Sequence, residues 1–231
     1  NAGYAWGDSA ARFTNDCSIP LGTGAHCSGN IRTPDANAIQ ASGNQGSLDP
    51  DGFVGGVQAG YNWQSGSAVF GVELDFNAFN MNASRSASGV TPASVSNYNI
   101  GSSLDTDWLF TARGRLGWTV GPTLLSYATG GLAVTDLQVS QVYNDNLLAP
   151  PGFSTSSTKT STKTGWVLGG GLEWALTNNW TMKGEYLYVD FGRVSTSGNI
   201  TSAAFPGIIN PHHTSADLNA HIARVGINYK F

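Results

Sequence analysis

The sequence predicts an all-β fold: an eight-stranded, up-and-down antiparallel transmembrane β-barrel with long loops at one end and short turns at the other. Three features predict it. Apolar and polar residues alternate with a period of two in almost every segment. Short and long connections alternate strictly along the chain. All seven tryptophans stand near the end of a segment. The 231 residues are read as one domain, 1–231.

The first strand is the opening NAGYAWG. In the second, Phe53, Val57, Ala59, Tyr61 and Trp63 alternate with Gly56, Gln58, Gly60 and Asn62. The third sets Phe70, Val72, Leu74 and Phe76 against Gly71, Glu73, Asp75 and Asn77. In the fourth, Trp108, Phe110, Ala112, Leu116 and Trp118 alternate with Thr111, Arg113, Arg115 and Gly117. The fifth, residues 124–138, alternates too weakly for its facing to be assigned. The sixth sets Trp166, Leu168, Leu172 and Trp174 against Gly169, Gly171 and Glu173. The seventh turns Trp180, Met182, Tyr186 and Tyr188 away from Lys183 and Glu185. The eighth is HIARVGINYKF, with Ala223, Val225, Ile227, Tyr229 and Phe231 on one face.

Tight turns join these segments at residues 64–67, near Gly121-Pro122 and at residues 177–179. The other four connections, about residues 9–50, 81–104, 139–163 and 195–215, are read as long loops. Long outer loops opposite short periplasmic turns are the asymmetry of bacterial outer-membrane barrels. That places the long loops outside the cell and the C-terminus in the periplasm. A spanning helix needs about 20 predominantly apolar residues. Residues 116–135 form the longest charge-free run, but Gly121-Pro122 and Gly130-Gly131 interrupt it, so it is read as two strands and a turn.

The tryptophans argue for lipid. At ~3.4 Å per residue and a ~40° tilt, the steps from Trp108 to Trp118 climb about 26 Å, close to the ~25 Å apolar band of such barrels. Charged residues make up only 11% of the chain, well below the ~25% of soluble domains. The net charge of −4 gives no electrostatic case for nucleic acid.

The polar face carries Glu73, Asp75, Glu173 and Glu185 against Arg113, Arg115, Lys183 and Arg224. A mid-membrane Arg or Lys turned to lipid costs about 2–4 kcal/mol, so this face is expected inside, as a structural ion-pair network. Gly56, Gly60, Gly117, Gly169, Gly171 and Gly226 are expected to make room for its long side chains. The last strand must pair with the first, because open sheet edges are not tolerated in hydrocarbon. Cys17 and Cys27 are expected to form a disulfide bracing the first loop in an oxidising compartment.

TARGRLGW (111–118), YATGGLA (127–133), GWVLGGGLEWAL and NNWTMKGEYLYVDFG (within 165–192) and VGINYKF (225–231) resemble the small, opacity-type, porin-like surface-antigen barrels of Gram-negative, especially alphaproteobacterial, outer membranes. The resemblance covers all eight strands and none of the long loops. It implies that Phe231, with Tyr229, forms the terminal signal read by the barrel-assembly machinery. Family members carry a stretch resembling W-T-G-x-Y-x-G ahead of N-A-G-Y-x-W, so the first strand is expected to be N-terminally incomplete.

The function expected is structural and surface-exposed: envelope integrity and loop presentation around a closed lumen. Outer-membrane lipid and lipopolysaccharide are the expected partners, and the aromatic faces are compatible with a homo-oligomer. One alternative is a porin-like diffusion channel, against which eight inward charged chains argue. Another is capture of haemin or a similar ligand by His212 and His213 or by His26 in the outer loops, as some relatives by resemblance suggest. No catalytic site, metal site or cofactor is expected. Asp217 and His221 share a strand face, but no nucleophile motif accompanies them.

Overall fold

A computed structural model describes residues 1–9, 12–15, 33–44, 47–146, 152–201 and 209–231. Cys17, Cys27, His26, Ile19, Leu21, Phe205 and Ile208 lie outside them. The described elements are β1 (Ala2–Trp6), β2 (Arg12–Asn15), α1 (Thr33–Gly43), β3 (Asp51–Ser65), β4 (Ala68–Val90), β5 (Asn97–Asp105), β6 (Trp108–Val120), β7 (Leu124–Asp145), β8 (Ser154–Ala175), β9 (Trp180–Thr201) and β10 (Ile209–Tyr229).

Eight antiparallel strands form a ring in the order β1-β3-β4-β6-β7-β8-β9-β10. It closes where β1 pairs with β10, from Ala2↔Val225 to Trp6↔His221. On its other side β1 pairs with β3, from Ala2↔Gly55 to Trp6↔Asp51. Beyond Ala2, the Asn1 amino group donates to the Gly56 carbonyl at 3.0 Å, and the Gln58 side-chain amide donates to Asn228, linking β3 to β10.

The short turns are set by local chemistry. Ser65 pairs with Ala68 across a two-residue turn whose Gly66 has φ +62°, a region open to glycine without steric cost. Gly121, at φ +70°, does the same between β6 and β7. Between β8 and β9 the Thr177 hydroxyl accepts from the Asn179 and Trp180 amides at 3.3 and 3.1 Å.

Three of the four connections expected to be loops are largely sheet. β4 runs to Val90 and pairs with β5, which continues the line of β6 after a break at Thr106 and Asp107. β7 and β8 pair from Leu124↔Trp174 out to Asn144↔Ser154, and β9 and β10 pair as far as Thr201↔Ile209. The barrel wall therefore continues as hairpins well past the aromatic rim. Ser and Thr here read as loop in the sequence because the outward face turns polar beyond the aromatic rim, although Thr itself favours strands. The fifth segment, unassigned from sequence, alternates throughout: Tyr127, Thr129, Ala133, Thr135, Leu137 and Val139 are buried on the inner face.

The ladder between β8 and β9 is interrupted. It is continuous from Ala175↔Thr181 to Trp166↔Asp190 and resumes only at Ser154↔Thr201. β9 bends at this level, where Gly192 has φ +67° and the β9–β10 register shifts between Leu218 and Asn219. The result is a seam in the wall beginning one residue beyond Trp166.

At the hairpin end, α1 packs Ile39 against Tyr98, Ile100, Tyr143 and Phe153 in a small apolar cluster. The Asp35 carboxylate accepts from the Ala93 and Ser94 amides at 2.7 and 3.1 Å. Arg85 donates to the Gly43 and Ser42 carbonyls at 2.7 and 3.3 Å, occupying orphan acceptors at the helix C-terminus.

Candidate functional site: the barrel interior

Side chains on alternate positions of every strand converge in the interior. On β4 these are Glu73, Asp75, Asn77, Phe79 and Met81; on β6 they are Leu109, Thr111, Arg113 and Arg115, all buried. Their outward neighbours, including Phe70, Val72, Leu74 and Phe76, are each about half exposed and form the apolar wall.

The charged residues collect in the half nearer the short turns. Arg113 on β6 bonds Asp75 on β4 at 2.7 Å and Glu185 on β9, across the lumen, at 3.0 Å, and also holds Glu73. Lys183 on β9 reaches Glu73 at 2.9 Å. Arg224 on β10 bonds Asp75 at 2.7 Å and Glu185 at 2.6 Å. Arg115 pairs separately with Glu173. Four carboxylates and four cations thus meet with zero net charge, the condition under which buried charges are tolerated.

Hydroxyls complete the arrangement. Thr111 donates to Asp75 at 2.9 Å, Thr181 to Glu173 at 2.6 Å and Tyr127 to Glu185 at 3.0 Å. The Arg115 guanidinium lies 3.6 Å above the Tyr127 ring. Gly171 permits this: a Cβ there would stand 2.7 Å from the Tyr127 hydroxyl. Sequence reasoning missed Tyr127 because its strand could not be given a facing. The signal available was the run Tyr127, Thr129, Gly131, Ala133 and Thr135, two apart along the strand.

Nearer the hairpins the interior changes character. Asn77 lies fully buried above Asp75. Beyond it Phe79, Met81, Leu109, Leu137, Leu187 and Val189 belong to an apolar cluster spanning the lumen. The sequence pattern put the eight charged residues of the network in view but not this layer. In stretches such as YLYV, residues 186–189, both faces are apolar, so the inner members are masked by the outer ones.

The remaining expected site residues do not assemble. His212 is fully buried and its neighbour His213 is exposed, so the two imidazoles point to opposite sides of β10 and cannot ligate one iron together. Burial, and then the neighbouring His213, hold His212 below the usual histidine pKa. Asp217 bonds Arg193 at 3.1 and 3.2 Å, and that hydrogen bond holds its carboxyl below the usual range. His221 Nδ1 shares a 2.5 Å hydrogen bond with Tyr186, not with Asp217. Trp6 stacks on His221, and Tyr188 and Trp166 extend the same aromatic belt. Tyr229 and Phe231 lie exposed at the turn end, with ring centroids 5.1 Å apart.

Comparison with known proteins places this geometry. Residues 22–231 match the family model described as the outer membrane protein beta-barrel domain. The 31 kDa outer-membrane immunogenic protein of Brucella melitensis biotype 1 is 40% identical over 189 residues, covering 80% of this chain and 70% of that protein. The 22 kDa outer membrane protein of Rhizobium leguminosarum bv. viciae is 32% identical over 180 residues, covering 78% and 67%. Among solved structures, the outer membrane protein OprG of Pseudomonas aeruginosa is 14% identical with a TM-score of 0.49, covering 100% of this chain and 93% of that one. The attachment invasion locus protein Ail of Yersinia pestis is 11% identical with a TM-score of 0.34, covering 96% and 97%.

Proposed function

We propose, because this chain belongs to the outer membrane protein β-barrel domain family, that it serves as a structural wall element with a closed lumen, contributing to envelope integrity and presenting its hairpins at the cell surface. The observation that carries the closed lumen is the stacking of two filled layers across the interior, a neutral ion-pair network and an apolar cluster. An eight-strand ring has an interior that side chains just fill. The hairpin end faces outward in this reading. Short turns face the periplasm in barrels of this kind, and the hairpins here are polar sheet extending past the aromatic belt. The C-terminus is then periplasmic, with Tyr229 and Phe231 exposed for the assembly machinery.

Planar-bilayer recording of the purified protein tests the closed lumen: no steady conductance above the bare bilayer is expected, and stable nanosiemens steps would sink it. Orientation is tested separately on intact cells. An epitope placed between Asn146 and Gly152, where β7 and β8 connect, should be reached by antibody without permeabilisation, and one at Gly66 should not.

A further inference from the structure

The interrupted β8–β9 ladder leaves two strand edges open at one level. Residues 155–165 keep their partners on β7, and 192–200 keep theirs on β10, but the two runs do not pair with each other. The opening begins one residue beyond Trp166, whose ring lies in the aromatic belt. It therefore stands in water, where an open edge is tolerated, and not in hydrocarbon. Lys159 spans it, donating from β8 to the Ser195 carbonyl on β9 at 3.4 Å. An extended lysine reaches about 6 Å from its Cα, so the gap there is at most about 10 Å, two strand spacings of ~4.8 Å. That is room for one added strand. Successive carbonyls of a strand point to opposite edges, so those of Arg193, Ser197 and Asn199 are turned to the opening with that of Ser195.

The side of β8 that borders this opening is basic. Lys159 lies opposite Val139 and Lys163 opposite Thr135, two buried inward residues of β7, so both lysines are on the inward side. Lys159 is exposed and Lys163 half-exposed. Among the described residues neither makes an ion pair. Ser157, on the same side, lies opposite Gln141, and the Ser157 hydroxyl and Gln141 Nε2 are enclosed without a partner among the described residues. The acids nearby are turned away or engaged. Asp136 lies opposite Thr162 on the outward side and accepts from the Asp107 and Trp108 amides at 3.2 and 3.3 Å. Asp190 and Asp217 are outward too, held by the Gly192 amide and by Arg193. Inward, Asp145 stands near the hairpin tip and accepts from the Tyr143 hydroxyl and the Phe153 amide at 2.8 and 2.9 Å.

An open backbone edge calls for a backbone, and unpaired cations call for carboxylates. Lys159 and Lys163 stand four residues apart on one side of the strand, about 14 Å along it. Carboxylates four residues apart on an extended chain share that spacing and that sidedness. The rest of this chain does not supply such a strand: residues 10–11, 16–32, 45–46, 147–151 and 202–208 hold a single acid, Asp16.

We propose that the β8–β9 opening binds an extended acidic peptide of another protein as an added strand. The peptide backbone bonds the open edge of β9, and two of its carboxylates, four residues apart, meet Lys159 and Lys163. Strand addition of this kind takes its affinity from main-chain bonds and its specificity from alternate side chains. Lysine on an open edge also disfavours uncharged and basic strands, so acidity sets the selection.

The test uses the purified protein in nanodiscs of zwitterionic lipid, where both ends are accessible, so its outcome is separate from the conductance and orientation experiments. The probe is a fluorescent peptide, Thr-Val-Thr-Glu-Thr-Val-Thr-Glu-Thr-Val. One comparison peptide carries Gln for both Glu, and another carries Pro for every Thr, which keeps the charges and removes the main-chain donors. The acidic peptide should bind at least about tenfold tighter than either comparison, with an affinity that falls as salt rises. The amides of Arg193, Ser195, Ser197 and Asn199 should gain exchange protection when it binds. The double exchange Lys159→Gln, Lys163→Gln should remove the preference for Glu over Gln, while Arg12→Gln with Arg193→Gln, on the outward side, should not. Retained heat-modifiable migration certifies that each variant is folded. Equal binding of the Gln peptide, or an unchanged lysine variant, overturns the charge match. Equal binding of the Pro peptide, unaltered exchange in β9, or displacement of the probe by dextran sulfate at matched charge overturns the added strand.

Discussion

Arg113 touches three carboxylates and is wholly enclosed. Arg113→Gln leaves Glu73, Asp75 and Glu185 with two cations, a net negative charge in a space without bulk water. Breaking such a pair by removing one partner costs about 3–5 kcal/mol. Urea unfolding of the protein in lipid vesicles should show a loss of that size. Replacing both members of the separate Arg115–Glu173 pair with Met leaves no orphan charge, and its effect should stay within about 1 kcal/mol. His212 offers a pH test at the same scale. Its folded pKa lies below its unfolded value, so the open state binds more protons in the interval between them. The contribution of neutral His212 to the β9–β10 hairpin is full above about pH 6.5 and is lost as pH falls toward the folded pKa. Amide exchange in residues 212–214, corrected for intrinsic rates, should accelerate below pH 6.5, and His212→Gln should flatten that dependence. The group packs closely: a Cβ at Gly198 would stand 2.6 Å from the His212 ring.

Among the described elements, α1 is the helix, and sequence patterning did not bring it out. Residues 33–43, TPDANAIQASG, hold few apolar residues and no stripe of them. The helix nonetheless carries a start and stop signal, Pro34 in its first turn and Gly43 at its end. What fixes it is tertiary: Asp35 on the β4–β5 turn, Ile39 in the small cluster and Arg85 on its last carbonyls. A charge-assisted bond of the Arg85 kind contributes about 1.5–3 kcal/mol. Arg85→Gln should therefore make residues 33–44 at least about tenfold more susceptible to limited proteolysis, with heat-modifiable migration of the barrel unchanged. The hairpin extensions were hidden for a different reason. Along β4, Ser84, Ser86 and Ser88 continue the alternation of Leu74 and Phe76 without any change of polarity between faces to announce it. β7 was ambiguous because Leu132, Ala133 and Val134 are apolar in succession, although only Ala133 faces inward.

For the whole molecule, the legible part was the ring. Lipid forces its outer face to be apolar, so Phe70, Val72, Leu74 and Phe76 declare their side, and Glu73 and Asp75 must take the other. The interior apolar layer was not legible, because a leucine bound for lipid and one bound for the core look alike in sequence. Leu187 is buried and Leu168 is exposed, on neighbouring strands in adjoining register. Two layers in series also predict how the barrel responds to damage. Leu187→Ala should destabilise by about 2–5 kcal/mol and still pass no current, because the network below remains intact. A steady conductance in that variant would mean that the charged layer alone does not seal the lumen.

The join between Ala2 and Val225 has a consequence in time. The ring pairs from β3 to β10 join segments that follow one another along the chain, but this one unites residues separated by most of the sequence, and contacts of such separation form slowly. Until it forms, both margins carry amides and carbonyls that hydrocarbon cannot satisfy. Closure of the cylinder at this joint is therefore expected to come late in folding.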